Sequence, residues 1–226
     1  MAPVEIGGAL VRQVDPTTCG SASLLMLAAT GDQDLMRWLA TGHCEGPLPP
    51  EAPSGSFANA EERIAAAQHR IKQRTSRRGL SVAPWPKALG TPPWTAAREA
   101  RFPAVRYIHR AVDDRAERGV RMTSMLVNAL RHGLPVLLYT GGDCRRGAAS
   151  AMPRHVVLAV PGSQVRRTPD GDEVISVYEP GAGLVHEVRV SDLSDRSEPL
   201  PALGHWTHIQ WLCLPTPSIR TNKGNQ

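Results

Sequence analysis

Gln13-Val14-Asp15-Pro16-Thr17-Thr18-Cys19-Gly20-Ser21-Ala22-Ser23-Leu24-Leu25-Met26 is the stretch on which the reading of the fold turns. It joins a turn, a cysteine and the opening of an apolar helical pattern. A thiol at a helix N-terminus meets unpaired backbone N–H groups and the positive dipole end, and both favour thiolate. Gln13 stands six residues ahead of Cys19, close enough for its side-chain amide to serve the same spot as an anion-stabilising donor. One short segment thereby offers a nucleophile and an oxyanion donor. Such chemistry needs a base from elsewhere in the chain.

Around this segment the first half reads as helices. The first runs from Cys19 to about Ala29, apolar at Ala22, Leu25, Met26 and Ala29 and stopped by Thr30-Gly31. A short helix is expected from Gln33 to Leu39. Pro47 to Gly55 is a loop. Asn59 with Glu62 forms a capping box for a helix to about Arg77, its stripe at Ala60, Ile64, Ala67 and Ile71. Gly79 to Trp94, with Pro84-Trp85-Pro86 and Pro92-Pro93-Trp94, reads as a packed irregular crossover, because prolines break both helix and central strand. Val105 to Arg110 is a weak strand, and Thr123 to His132 a helix with Thr123 as cap and Gly133 just past its end.

From Pro135 the pattern turns to strands: Val136–Tyr139, His155–Val160, Val174–Tyr178, Leu184–Val188 and a last one from His205 to Leu214. Pro169-Asp170-Gly171-Asp172 marks a hairpin tip between the second and third. Helices first and a mostly antiparallel sheet second define an α+β fold. The expectation is one domain over residues 1–214 and a disordered tail over 215–226.

Composition narrows the classes. The net charge is +5, part of it in Arg63, Arg70, Lys72, Arg74, Arg77 and Arg78. A solvated helix face is the favoured reading of that cluster, and nothing resembles a nucleic-acid-binding motif, so no nucleic-acid partner is expected. Apolar runs fall far short of the roughly 20 residues that cross a bilayer, and Met1-Ala2-Pro3-Val4-Glu5 does not open a signal peptide. The chain is therefore expected in the cytoplasm, or exported by a route without a classical signal peptide. The four cysteines, Cys19, Cys44, Cys144 and Cys213, are too scattered for a disulfide framework and lack zinc-site spacing, so neither a metal nor a cofactor is expected. Cys213 reads as core strand, and Cys44 and Cys144 as free loop thiols. The loop Gly141-Gly142-Asp143-Cys144-Arg145-Arg146-Gly147 could be a flap or an anion-binding loop; it lacks the lysine and following helix of a phosphate-binding P-loop.

Eight histidines compete for the base. His155 is best placed, because it opens a strand, and a polar group at a strand mouth reaches a cleft more easily than one in mid-strand. His186 reads as surface; His205 and His208 lie near the start of the last strand; His43, His69, His109 and His132 lie in loops or on outer faces. Glu179, in Val177-Tyr178-Glu179-Pro180-Gly181, ends the strand that returns from the Asp170-Gly171 turn. If the two strands pair antiparallel, Glu179 and His155 share one edge of the sheet, as a triad requires.

In that order, Gln13-x5-Cys19-Gly20, His155-Val156-Val157 and Glu179-Pro180 resemble the papain-like cysteine peptidases, above all the branch with the bacteriocin-processing double-glycine peptidase domains. The resemblance implies a papain-like fold and acyl transfer to Cys19. In this role Gln13 and the Cys19 N–H hold the oxyanion and His155 is the acid and base. An aspartate orients the histidine in that family, and Glu179 departs from it by one methylene. The region from about Arg37 to Arg131 carries no motif of the family. A hydrolase of peptide or amide bonds is the leading expectation, its partner a peptide or protein substrate. A cysteine-dependent transferase or deamidase effector on the same scaffold, and a non-catalytic binding module, are the alternatives. No transporter segment or membrane anchor accompanies the site, which argues against leader-peptide processing at a transporter.

Overall fold

The run after Cys19 winds into helix α1, Cys19–Gly31, in the computed structural model of this chain. Residues 1–77, 79, 85–86, 90–147, 150, 152–161 and 165–217 are described. The sequence pattern gives α1 one apolar side, yet every residue from Cys19 to Ala29 is buried. A helix dry on all sides is a central one, which is why Ser21 and Ser23 sit inside the protein.

Three more helices surround α1. Helix α2, Gln33–Thr41, is opened by the Asp32 carboxylate accepting from the Leu35 N–H and closed by Gly42 at φ 84°. Helix α3, Ala60–Ser76, starts where Asn59 accepts from the Glu62 N–H. The Glu62 carboxylate accepts from the Ala58 N–H, one residue beyond the expected capping-box partner, the Asn59 N–H. Arg63 departs from the expected solvated basic face. It is buried and donates to the Leu39 and Ala40 carbonyls at 2.9 and 2.8 Å, tying α3 to the end of α2. Arg78 lies outside the described residues. Helix α4, Pro93–Glu99, begins in the last two residues of the stretch expected to be irregular and runs beyond it; Pro93 is tolerated because it occupies the first turn, where no N–H partner is needed. Residues 80–84 and 87–89 of that stretch lie outside the described residues.

Helix α5, Ala116–Arg131, begins seven residues before the expected start at Thr123. Thr123 is mid-helix, its hydroxyl donating to the Gly119 and Val120 carbonyls rather than capping. Gly133 does follow the helix end at φ 74°.

The strands are β1 Ala2–Pro3, β2 Glu5–Ile6, β3 Ala9–Leu10, β4 Val105–Ala111, β5 Val136–Gly141, β6 His155–Val160, β7 Arg166–Arg167, β8 Glu173–Glu179, β9 Leu184–Arg189 and β10 His208–Pro217. The main sheet runs β1-β9-β8-β6-β5-β10-β4, with β7 also on β8, and β2 pairs β3 separately. All these pairings are antiparallel. The protein is thus α+β, as the order of patterns indicated. The short strands β1, β2, β3 and β7 carry no alternation long enough to be read. Strand β10 runs to Pro217, three residues into the expected disordered tail, because residues 215–217 pair with β4; residues 218–226 lie outside the described residues.

Alternate strand residues face two separate cores. Leu137, Tyr139, Val156, Leu158 and Tyr178 pack with α1–α4. Val136, Leu138, Val157, Ala159 and Val177 pack with α5. No helix among the described residues is long and apolar enough to cross a membrane.

Candidate active site

The turn before α1 is built by its own side chains. The Asp15 carboxylate accepts from the Thr17 N–H at 2.7 Å, and the Thr18 hydroxyl accepts from the Asp15 N–H at 2.9 Å. Thr18 is thereby used within the turn and makes no side-chain cap on α1. The first-turn N–H groups of α1 are left uncapped by it beside Cys19, the arrangement that favours an anion. Gly20 is required here by space: a Cβ at that position would stand 2.7 Å from the Thr91 Cβ.

His155 is the first residue of β6, and β6 is pinned to α1 at the adjacent position. The Ser23 hydroxyl, one helical turn after Cys19, donates to the Val156 carbonyl at 3.0 Å. His155 shares its strand parity with Val157, on the α5 side of the sheet. In mid-strand that parity would put the sheet between the ring and α1. At the strand mouth the imidazole instead lines the same cleft as Cys19.

Strands β6 and β8 pair with Leu158 opposite Tyr178 and Ala159 opposite Val177. Continuing that register puts Glu179 opposite Val157, diagonal to His155 on the same face, within reach of a long side chain. The Glu179 Oε1 lies 2.7 Å from His155 Nε2. The same carboxylate accepts from the Gly181 N–H at 2.7 Å and the Ala182 N–H at 2.8 Å, folding back over its own turn. Gly181 leaves room for this, since a Cβ there would stand 2.9 Å from Glu179 Oε1.

Burial opposes charge on His155, but its hydrogen bonds to Cys19 and Glu179 outweigh that and raise its pKa to about 9. For Glu179, burial pushes upward, while the bonds from His155, Ala182 and Gly181 hold its carboxyl below the usual value. The arrangement therefore stabilises an imidazolium beside a carboxylate through the neutral range. Gly204, in the left-handed region at φ 68°, packs its Cα against the ring; a Cβ there would stand 2.3 Å from His155 Cδ2.

Gln13 is half-buried, and its N–H donates to the Pro180 carbonyl at 2.7 Å, beside the Glu179 turn. Its side-chain Oε1 is buried without a partner. The scaffold thus leaves that oxygen unused.

A cleft of about 540 Å³ opens from Cys19 and His155 and continues between Tyr139, Trp85, Trp94 and Trp211. Trp85 and Trp94 meet edge to face at 5.2 Å, and His109 lies 5.7 Å from Trp211. These aromatic walls come from four separate segments, and spacing alone does not group them.

Other candidates resolve differently. His186 is buried, not on the surface as expected, because it pairs opposite Val177 on β9; burial lowers its pKa. His208 is also buried, with Nδ1 2.9 Å from the Asp114 carboxylate, a structural tie between β10 and the start of α5. Cys213 is buried in β10, and its thiol is pushed up by desolvation. Cys44 and Cys144 are free, the latter exposed. The Gly141–Gly147 loop is fastened by Gln210, whose amide donates to the Gly142 and Ser150 carbonyls at 2.8 and 2.6 Å. No cluster of three or more potential metal ligands occurs among the described residues.

Compared with protein families and with curated proteins, the chain finds no match in either.

Proposed function

We propose that this chain is a cysteine-nucleophile hydrolase of peptide or amide bonds on a papain-like scaffold. One observation carries the reading: the His155 ring, hydrogen-bonded to the Glu179 carboxylate, lines one cleft with the thiol at the mouth of α1. This is the nucleophile–base–orienter relation that acyl transfer requires.

In the proposed cycle, Cys19 Sγ attacks the scissile carbonyl, and the new oxyanion is held by the Gln13 amide and the Cys19 N–H. The His155 imidazolium then gives its proton to the departing amine, leaving an acyl thioester. Water, deprotonated by His155, attacks that thioester, and the acid leaves as Cys19 is regenerated. Glu179 holds the ring toward Cys19 and stabilises its charge. The aromatic walls of the cleft favour a substrate with a bulky apolar group beside the scissile bond over a charged one.

Iodoacetamide labelling with mass-spectrometric readout tests the proposal. Cys19 is expected to react selectively, to keep reacting at pH 5–6, and to lose that acid reactivity in His155→Ala. Slow and equal labelling of Cys19 and Cys44 at all pH values would sink it.

A further inference from the structure

A glutamine amide buried inside a protein costs free energy unless both of its ends are hydrogen-bonded. Gln68, on the inward face of α3, is fully buried. Both of its ends are used, and both on the same short segment. Its Nε2 donates to the Arg12 carbonyl at 2.8 Å, and its Oε1 accepts from the Val14 N–H at 3.2 Å. The two bonds fall on the residues immediately before and after Gln13. One helical turn further along α3, Lys72 reaches the Thr17 hydroxyl and lies 3.5 Å from Asp15 Oδ1. Helix α3 thus holds the whole lead-in to Cys19 from one side, while the Pro180 carbonyl holds the Gln13 N–H from the other.

We infer that Gln68 is a positioning residue for the oxyanion donor. Its bidentate grip fixes the backbone on both sides of Gln13, so that the Gln13 amide is held for the oxyanion before substrate arrives. The inference rests on the acyl-transfer role proposed for Cys19. Preorganisation is where such donors gain their effect, because a donor that must be ordered during the reaction loses much of its worth. Displacement of a donor by an ångström costs on the order of 100-fold in rate. Arg12 and Val14 are themselves exposed, and no other side-chain bond to the Arg12 carbonyl or the Val14 N–H occurs among the described residues.

The test compares two reactions of the same thiol. Acylation by p-nitrophenyl acetate passes through an oxyanion; alkylation by iodoacetamide does not. In the intact chain, Gln68→Met is expected to slow acylation of Cys19 by about 10- to 100-fold and to leave alkylation within about twofold. Gln68→Glu keeps the acceptor for Val14 but sets a carboxylate oxygen against the Arg12 carbonyl, so it should show a loss of the same kind and keeps the test open even if the methionine variant folds poorly. Adding Gln68→Met to Gln13→Ala should cause no further loss, because the two act through one group. Equal loss of acylation and alkylation, or losses that multiply in the double variant, would overturn the inference. If the unsubstituted chain is alkylated at Cys19 but never acylated, the hydrolase proposal falls and this one with it; selective acylation with no loss in Gln68→Met defeats the positioning role alone.

Discussion

Gly204 shows how narrowly the His155 ring is held. Its Cα lies where any Cβ would meet Cδ2, Nε2 and Cγ of the imidazole at 2.3–2.9 Å. The turn that carries it is fixed to the sheet, for the Thr140 hydroxyl donates to the Leu203 carbonyl at 2.9 Å. Gly204→Ala therefore adds a collision to the ordinary left-handed strain of about 1–2 kcal/mol. Gly133→Ala is the matched control, with φ 74° and open space around it. Both variants should lose similar stability from strain, but only Gly204→Ala should reduce Cys19 alkylation at pH 6, by about tenfold. Equal alkylation in the two would mean that the ring has room to move. Of these site residues, Cys19, His155, Glu179 and Gln13 could be picked from their local sequence context. Gly204 and Gln68 could not, because their importance lies in what stands opposite them, and neither sits in a motif.

At the scale of elements, the decisive joint is between α1 and β6. Ser23 and Val156 are far apart in sequence, yet their hydrogen bond lies next to both Cys19 and His155 and sets the spacing of the two. Ser23→Ala should cost about 1 kcal/mol of stability, measured by urea unfolding. It should also slow Cys19 alkylation at pH 6 more than the equally conservative Ser21→Ala, whose hydroxyl has no partner. If the two serine variants behave alike, the joint does not set the site. The elements themselves were largely readable: α2, α3, β6 and β9 follow from caps, stripes and β-branched runs. The start of α5 was not, because Arg115 provides no side-chain cap and Ala116 sits at φ 47°, a conformation with no marker in the sequence. Helix α4 was hidden by its prolines, which are permitted only at its first turn.

Across the whole molecule, the His155–Glu179 pair links protonation to folding. The His155 pKa is near 6.5 in an unfolded chain and about 9 in the folded one. The folded state therefore holds the extra proton between these values. Its stabilising contribution is complete below about pH 6.5 and fades as pH rises toward 9. Cys213 and the buried tyrosines, whose folded values are raised, add losses only near pH 9 and above. Between about pH 6.5 and 8.5, the ring-proton NMR shifts of His155 should keep their protonated values in the unsubstituted chain and titrate at lower pH in Glu179→Gln, which removes one of the two supports of the charge. A ring that titrates near 6.5 in the unsubstituted chain would contradict the raised His155 pKa.

The sequence by itself determined the longer helices and strands and which side chains could carry thiol chemistry, because capping, periodicity and turn residues act over a few positions. Only the tertiary structure decided that α1 is dry on all sides, that Glu179 folds back to reach His155, and that α3 grips the backbone around Gln13. Those contacts join residues 24 to 133 positions apart. They are selected by packing and register across the sheet, and no local pattern encodes them.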